Sequence, residues 1–334
     1  MPTTAPRVLG RPPDLDVDIY RELYGGRGVT TIGVDPRVNS SEVARRLKLS
    51  RARVASRLAE WTKSGLLQKF DVWPNPALLR YEVATVDLRV HDRLDKGAVV
   101  ERLGVVEGLL GGLELLGPWM SLQFLARDAE EIGRRATLLR GLAGVAEVSP
   151  PVPWTPLEPA RPLTPLDRRI LRVLRRYPRD PLSSIARHVG VSTRTITTRY
   201  GRLLDDRSVW FVPVLDFRAL AGPALSLQIQ LADPSDHDRV ARALQKEYPH
   251  LLEFLRMEIG PQIPPALAIF IVLAPSAAGV EDVERFARSL PGVASLEVYT
   301  MLRMLSFPTT FDRLLAEAAP EKRSTPPLRA QPNA

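Results

Sequence analysis

The chain has 334 residues, 45% of them apolar and 25% charged, which suits a soluble globular protein of two domains or several small ones. It has no cysteine, which excludes disulfides, thiolate metal sites and thiol nucleophiles. Its four histidines (His91, His188, His237, His250) are widely spaced, so neither a metal centre nor a cofactor is expected. The formal net charge of +8 and the sequence pI of about 10.0 favour a polyanionic partner if the positive charge is concentrated in one place.

In chain order, the opening MPTTAPRVLGRPPDLD lacks the apolar core of a secretory signal. No apolar run reaches the ~20 residues of a membrane span, so a cytoplasmic protein is expected. LDVDIYREL has helical period, GGRGVTTIGVDP reads as a loop, and SSEVARRL reads as a short helix. Ser50 then precedes a third helical segment, 51–64, and LLQKFDVW follows as a basic wing carrying Lys69. YEVATVDLRV and MSLQFLA alternate as strands do, with Gly111 and Gly112 read as a hairpin turn between them. DKGAVVERL and DAEEIGRRATLLRGL have helical period, and Gly144–Ala146 opens a final strand.

Residues 149–162, SPPVPWTPLEPARP, contain six prolines and read as a stiff linker. Beyond it, LTPLDRRILRVLRRY has Thr164 as N-cap, Pro165 in the first turn, and Ile170, Leu171 and Leu174 as an apolar stripe. LSSIARHV is a second helix, Gly190 suits a turn at positive φ, and Ser192 caps a third helix that runs to about Asp205. After the wing VWFVPVLDF come ALSLQIQLA, DHDRVARALQKEY, ALAIFIVLA, GVEDVERFARSL and a strand opened by Gly292–Ala294. TTFDRLLAEA reads as a last helix, and the Pro-rich residues 320–334 as a disordered tail.

The two halves repeat. With Ser50 set on Ser192, Val43 meets Ile185, Ala44 meets Ala186, Leu47 meets Val189, Val54 meets Ile196 and Trp61 meets Leu203. Upstream the offset grows by nine residues, an insertion within GGRGVTTIGVDP. Each half continues in the order β-α-β-β-α-β, a ferredoxin-like signature. The expected fold is therefore α+β. Two winged helix-turn-helix domains (14–76 and 163–217) each precede a ferredoxin-like domain (80–149 and 222–307), with 150–162 as the linker.

The third helix of each unit is the candidate reading element. Placing Val54, Leu58 and Trp61 inward turns Ala52, Arg53, Ser56, Ala59 and Lys63 outward. The second copy turns out Arg194, Thr195, Thr198 and Gly201. Small residues admit the helix backbone to a groove floor, while Arg reads guanine and Ser or Thr takes bases or phosphates. Arg51, Arg57, Arg199 and Arg202 lie towards the flanks, and Ser192 and Thr193 at the helix start. Residues 42–69 carry net +6 and residues 165–207 net +7, which leaves −5 for the rest of the chain. The positive charge is thus concentrated on the two helical units, as a phosphate footprint requires.

The stretch LTPLDRRILRVLRRYPRDPLSSIARHVGVSTRTITTRYGRLLDDRSV resembles the Lrp/AsnC family of transcriptional regulators. It follows that family's Leu-x-x-x-Asp-x-x-Ile-Leu opening and its Ile-Ala-x-x-Val-Gly-Val-Ser turn. The resemblance spans about 14–150 and 163–307. It implies a winged helix-turn-helix with a ferredoxin-like effector and dimerisation domain, acting on double-stranded DNA. It also implies homodimers or higher homo-oligomers and modulation by a small molecule such as an amino acid; no motif transfers ligand residues. The departures are two units in one chain, the nine-residue insertion, and a second wing lacking the basic residue that Lys69 supplies in the first. A related branch resembles siroheme decarboxylases, which carry a His- and aromatic-rich stretch in the α/β domain. The matching segments here, LELLGPWMSLQF and LRMEIGPQIPPALAIF, contain no His, so no enzyme is expected. A third reading is a ligand sensor whose helical units serve protein contacts; charge-neutral reading faces would have favoured it.

Overall fold

The computed structural model describes residues 18–19, 22, 40–93, 96–154, 161–206, 208–220, 222–248, 251–257, 266–273 and 277–317, with backbone only for 40, 42, 154, 234, 245, 251–257, 266–273, 277–278 and 317. The insertion and the 320–334 tail lie outside these residues.

The first helical unit contains α1 (Ser40–Leu47) and α2 (Arg51–Ser64). The second contains α5 (Pro165–Arg176), α6 (Leu182–Val189) and α7 (Thr193–Asp205). Local chemistry fixes their ends. Thr164 and Asp167 form a reciprocal capping box on α5, and Pro165 opens its first turn. Ser50 and Ser192 each accept a backbone N–H at the start of α2 and α7. Between the second and third helices the backbone turns left-handed in both copies, at Gly190 (φ 76°) and at Lys48 (φ 55°). The aligned apolar pairs occupy matching places: Val43 and Ile185, Ala44 and Ala186, Val54 and Ile196, and Trp61 and Leu203 are all buried. Of the first copy's opening helix, Ile19 is fully buried against Val43, Val54 and Trp61.

The segments expected to form two separate wings do something different. β1 (Leu67–Pro74) and β7 (Val209–Leu215) pair with each other as an antiparallel two-stranded ribbon. Each strand also completes the other copy's core. Leu215 joins the first helical unit's core beside Leu67 and Phe70, and Val72 joins the second's beside Val209 and Phe211. The physical reason is burial: β7 is apolar throughout, and β1 brings Leu67, Phe70, Val72 and Trp73, which are all buried, so neither strand can leave that surface in water.

The remaining strands form one nine-stranded sheet. From the first half come β2 (Glu82–Val90), α3 (Lys96–Leu103), β3 (Leu109–Leu115), β4 (Trp119–Ala126), α4 (Ala129–Arg140), β5 (Val145–Val148) and β6 (Val152–Trp154). From the second come β8 (Ala224–Leu231), α8 (His237–Glu247), β9 (Leu251–Met257), β10 (Ala266–Leu273), α9 (Ala277–Ser289) and β11 (Val293–Ser306). The order is β5-β2-β4-β3-β11-β8-β10-β9, with β6 also on β2. Each half keeps the ferredoxin-like order, and the halves are sewn together where β3 pairs with β11. Part of the expected linker is therefore strand, since Val152 and Trp154 pair with Thr85 and Val83.

The helices cover one face of this sheet. Ala84, Val86, Leu88 and Val90 pack against Val99 and Leu103 of α3 and Ile132 and Leu139 of α4; Leu225, Leu227 and Ile229 pack against α8 and α9. Gly111 and Gly112 are not a turn but the middle of β3. A Cβ on Gly111 would lie 2.7 Å from the Leu305 carbonyl oxygen and 3.3 Å from the Trp73 ring, and one on Gly112 would lie 2.2 Å from the Ser121 carbonyl oxygen. Glycine there lets the ribbon and the seam strand approach the sheet closely. The last helix, α10 (Thr309–Glu317), returns to the helical layer, with Phe311 beside Trp73 and Trp210 and Leu315 in the core of the second unit.

Candidate nucleic-acid interface

The outward face of each third helix carries the predicted side chains. On α2, Arg51, Ala52, Arg53, Ser56, Ala59 and Lys63 are exposed, while Val54 and Trp61 are buried. On α7, Thr193, Arg194, Thr198 and Arg202 are exposed and Thr195 is half-buried. Ile196, Tyr200 and Leu203 hold that helix to its core. Ser192 spends its oxygen on the helix start, accepting the Thr195 N–H at 3.1 Å with the Thr195 hydroxyl at 2.9 Å.

Other predicted residues have structural partners. Arg199 reaches Asp167 Oδ1 and Thr164 Oγ1, both at 3.4 Å, and so compensates a carboxylate that is 1% exposed. Arg57 is half-buried and donates to Glu60 at 2.6 Å. Lys69 is exposed on the shared ribbon and has internal partners. Its Nζ donates to Ser306 Oγ at 2.8 Å and lies 3.1 Å from Asp71, which ties the ribbon to the end of β11. A lysine in a lone basic strand reads as a phosphate contact until its distant partner strand is known.

Sequence reasoning did not single out Arg175, on α5. Its side chain is nearly buried. It donates to Asp312 (2.7 Å), to the Pro308 carbonyl (2.6 Å) and to the Val72 carbonyl, and stacks over the Phe311 ring. One guanidinium thereby joins the second helical unit, the first copy's strand and the C-terminal helix. Nothing local to LRVLRR distinguishes it from Arg172 or Arg176; only its buried position does.

A second polar locus lies on the sheet face away from the helices. Thr85 and Asp87 on β2, Ser121 and Gln123 on β4, and Glu297 and Tyr299 on β11 point there by strand alternation. Thr85 Oγ1 and Asp87 Oδ1 are shielded from solvent without a partner. Burial raises the Asp87 carboxyl above the usual carboxylate range; a Ser121 hydrogen bond opposes this and the Glu297 charge adds to it. Tyr299 donates to Glu297 at 2.7 Å, and burial followed by that carboxylate raises its phenol. Arg89, at the end of β2, is spent on Glu147 at 3.1 Å. Opposite, on the helix side, Lys96 donates to the Leu115 carbonyl and is lowered chiefly by burial. Among the described residues no group of three His, Asp or Glu side chains is arranged to hold a metal ion, and no helix is long and apolar enough to cross a membrane.

Residues 163–204 match the AsnC-type helix-turn-helix domain. Over the whole chain the structure resembles two crystal structures of the siroheme decarboxylase NirDL. One, in complex with an iron-uroporphyrin III analogue, has a TM-score of 0.53 and 12% identity, covering 90% of this chain and 97% of that one. The other has a TM-score of 0.51 and 13% identity, covering 90% and 96%. Escherichia coli AsnC matches 46% of this chain over 96% of its own, at 14% identity and a TM-score of 0.31. No curated protein matches the sequence. The chain has an α+β fold with an AsnC-type helix-turn-helix, in the two-unit Lrp-like architecture that NirDL also shows.

Proposed function

We propose that the protein is a sequence-specific DNA-binding regulator that presents two reading helices from a single chain. The observation that carries this reading is the outer face of α7, within the AsnC-type unit. There Arg194, Thr198 and Arg202 stand exposed on a helix otherwise lined with small residues. An exposed arginine beside short side chains suits a helix lying against base edges, and the net +7 of residues 165–207 supplies the phosphate attraction. The α2 face, with Arg51, Arg53, Ser56 and Lys63, repeats the arrangement. The sheet carries the small-molecule response in this reading. The test is recovery of bound fragments from sheared genomic DNA with the full chain. A shared sequence in the recovered fragments is the expected result; unselective recovery contradicts it.

A second reading, chemistry on a tetrapyrrole, is favoured by the full-length likeness to NirDL. The side chains described on the helix-free face count against it. They offer Asp87 and Glu297, with Arg89 already paired, whereas uroporphyrin-type rings carry several carboxylates and call for cations. Titration with siroheme separates the two readings. An unshifted absorption band fits the regulator, and a saturable shift fits the enzyme.

A further inference from the structure

The ribbon pairing also fixes how the two reading helices are related. The repeat offset of 142 residues makes Phe70 equivalent to Val212, and Asp71 equivalent to Pro213. The observed pairs are Phe70 with Pro213 and Asp71 with Val212, so the repeat operation turns each pair into the other. In the same way the pair Lys69 with Val214 maps onto Val72 with Phe211. Pairing of this self-complementary kind is what a two-fold axis produces, here passing through the ribbon between Phe70–Asp71 and Val212–Pro213. Each helical unit also takes a residue of the opposite strand into its core, Leu215 in one and Val72 in the other, so the ribbon is the element that joins the two units. A two-fold relation at the ribbon would set the candidate reading helices α2 and α7 in opposed senses, as on an inverted repeat.

The two faces are not copies. At equivalent positions stand Ala52 and Arg194, Arg53 and Thr195, Ser56 and Thr198, and Ala59 and Gly201. The arginine is displaced by one residue between the copies, which moves it about 100° around the helix and roughly 1.5 Å along it. A bidentate contact to a guanine edge does not tolerate that displacement, so the guanine each helix reads lies at a different step.

We propose, resting on the DNA-binding reading above, that one chain occupies an inverted repeat of two unlike half-sites, α2 on one and α7 on the other. The test starts from a duplex selected by the full chain from a random library. Native mass spectrometry should find one chain per duplex. Turning one half-site around, to make a direct repeat, should weaken binding roughly ten-fold or more, and so should either symmetric duplex built from two copies of one half. Arg53→Ala should relax base preference in one half only, and Arg194→Ala in the other only. Equal affinity for the direct repeat, or two chains bound more tightly to a symmetric duplex, would overturn the unlike-half-site arrangement. Failure to enrich any sequence would instead overturn the DNA-binding reading on which it rests.

Discussion

Two side chains show where single residues carry strain. Lys48 occupies the left-handed turn that Gly190 makes in the second copy, and a residue with a Cβ pays for that conformation. Lys48→Gly is expected to stabilise the protein by roughly 0.5–1 kcal/mol in urea denaturation, the relief of the left-handed turn exceeding the added chain entropy. The sequence showed the turn but not its conformation, because a lysine announces no positive φ. Asp87 is the second case. Its folded pKa is raised, so the charged form is penalised in the native state above that pKa, and the penalty is lifted as the pH falls towards the ordinary value of 3.8. Asp87→Asn should therefore raise the melting temperature at pH 7, with the gain shrinking as the pH approaches 4. An unchanged melting temperature at pH 7 would show that Asp87 carries no such penalty. A lone aspartate in an alternating strand reads as solvent-facing, and only the sheet's other layers reveal its burial.

At the scale of elements, the helices and most strands could be read from period and caps, whereas β3 and the ribbon could not. LLGGLEL carries two glycines, which locally signal a turn. Their reason lies in close neighbours that the local sequence does not show: Leu305 and Trp73 from distant strands, and Ser121 on the adjacent one. Gly111→Ala should cost about 1–3 kcal/mol by overpacking against the Leu305 carbonyl and Trp73, read as a lower denaturation midpoint. The same substitution at Gly133, where an added Cβ meets nothing within 4 Å, should not lower it, since alanine favours the helix. The ribbon was misread for a related reason. A wing hairpin and a strand awaiting a distant partner look alike when only one apolar strand is in view, and the partner of β1 lies some 140 residues downstream. Distance also bears on Lys69, which has Asp71 beside it on β1 but meets Ser306 only once the ribbon rests on the sheet.

For the whole molecule, duplication has become internal pairing. Two units share a ribbon, exchange core residues, and join their sheets at the β3–β11 seam. The repeat itself was plain in the sequence; the self-complementary pairing of its ribbon was not, because that depends on register rather than composition. The proposed reading residues separate by their internal partners. Arg53, Arg194 and Arg202 remain exposed, while Arg199 and Lys69 are committed to internal partners. The most direct measurement is fluorescence anisotropy on a fragment recovered by the full chain, at about 50 and 200 mM salt, for the natural chain and for Arg53→Ala with Arg194→Ala. Salt should weaken the natural chain's binding by at least about ten-fold, and the double variant should lose preference for the fragment over random duplex while keeping much of the salt dependence. Equal binding to fragment and random duplex by the natural chain, with no response to salt, would contradict the DNA-binding reading.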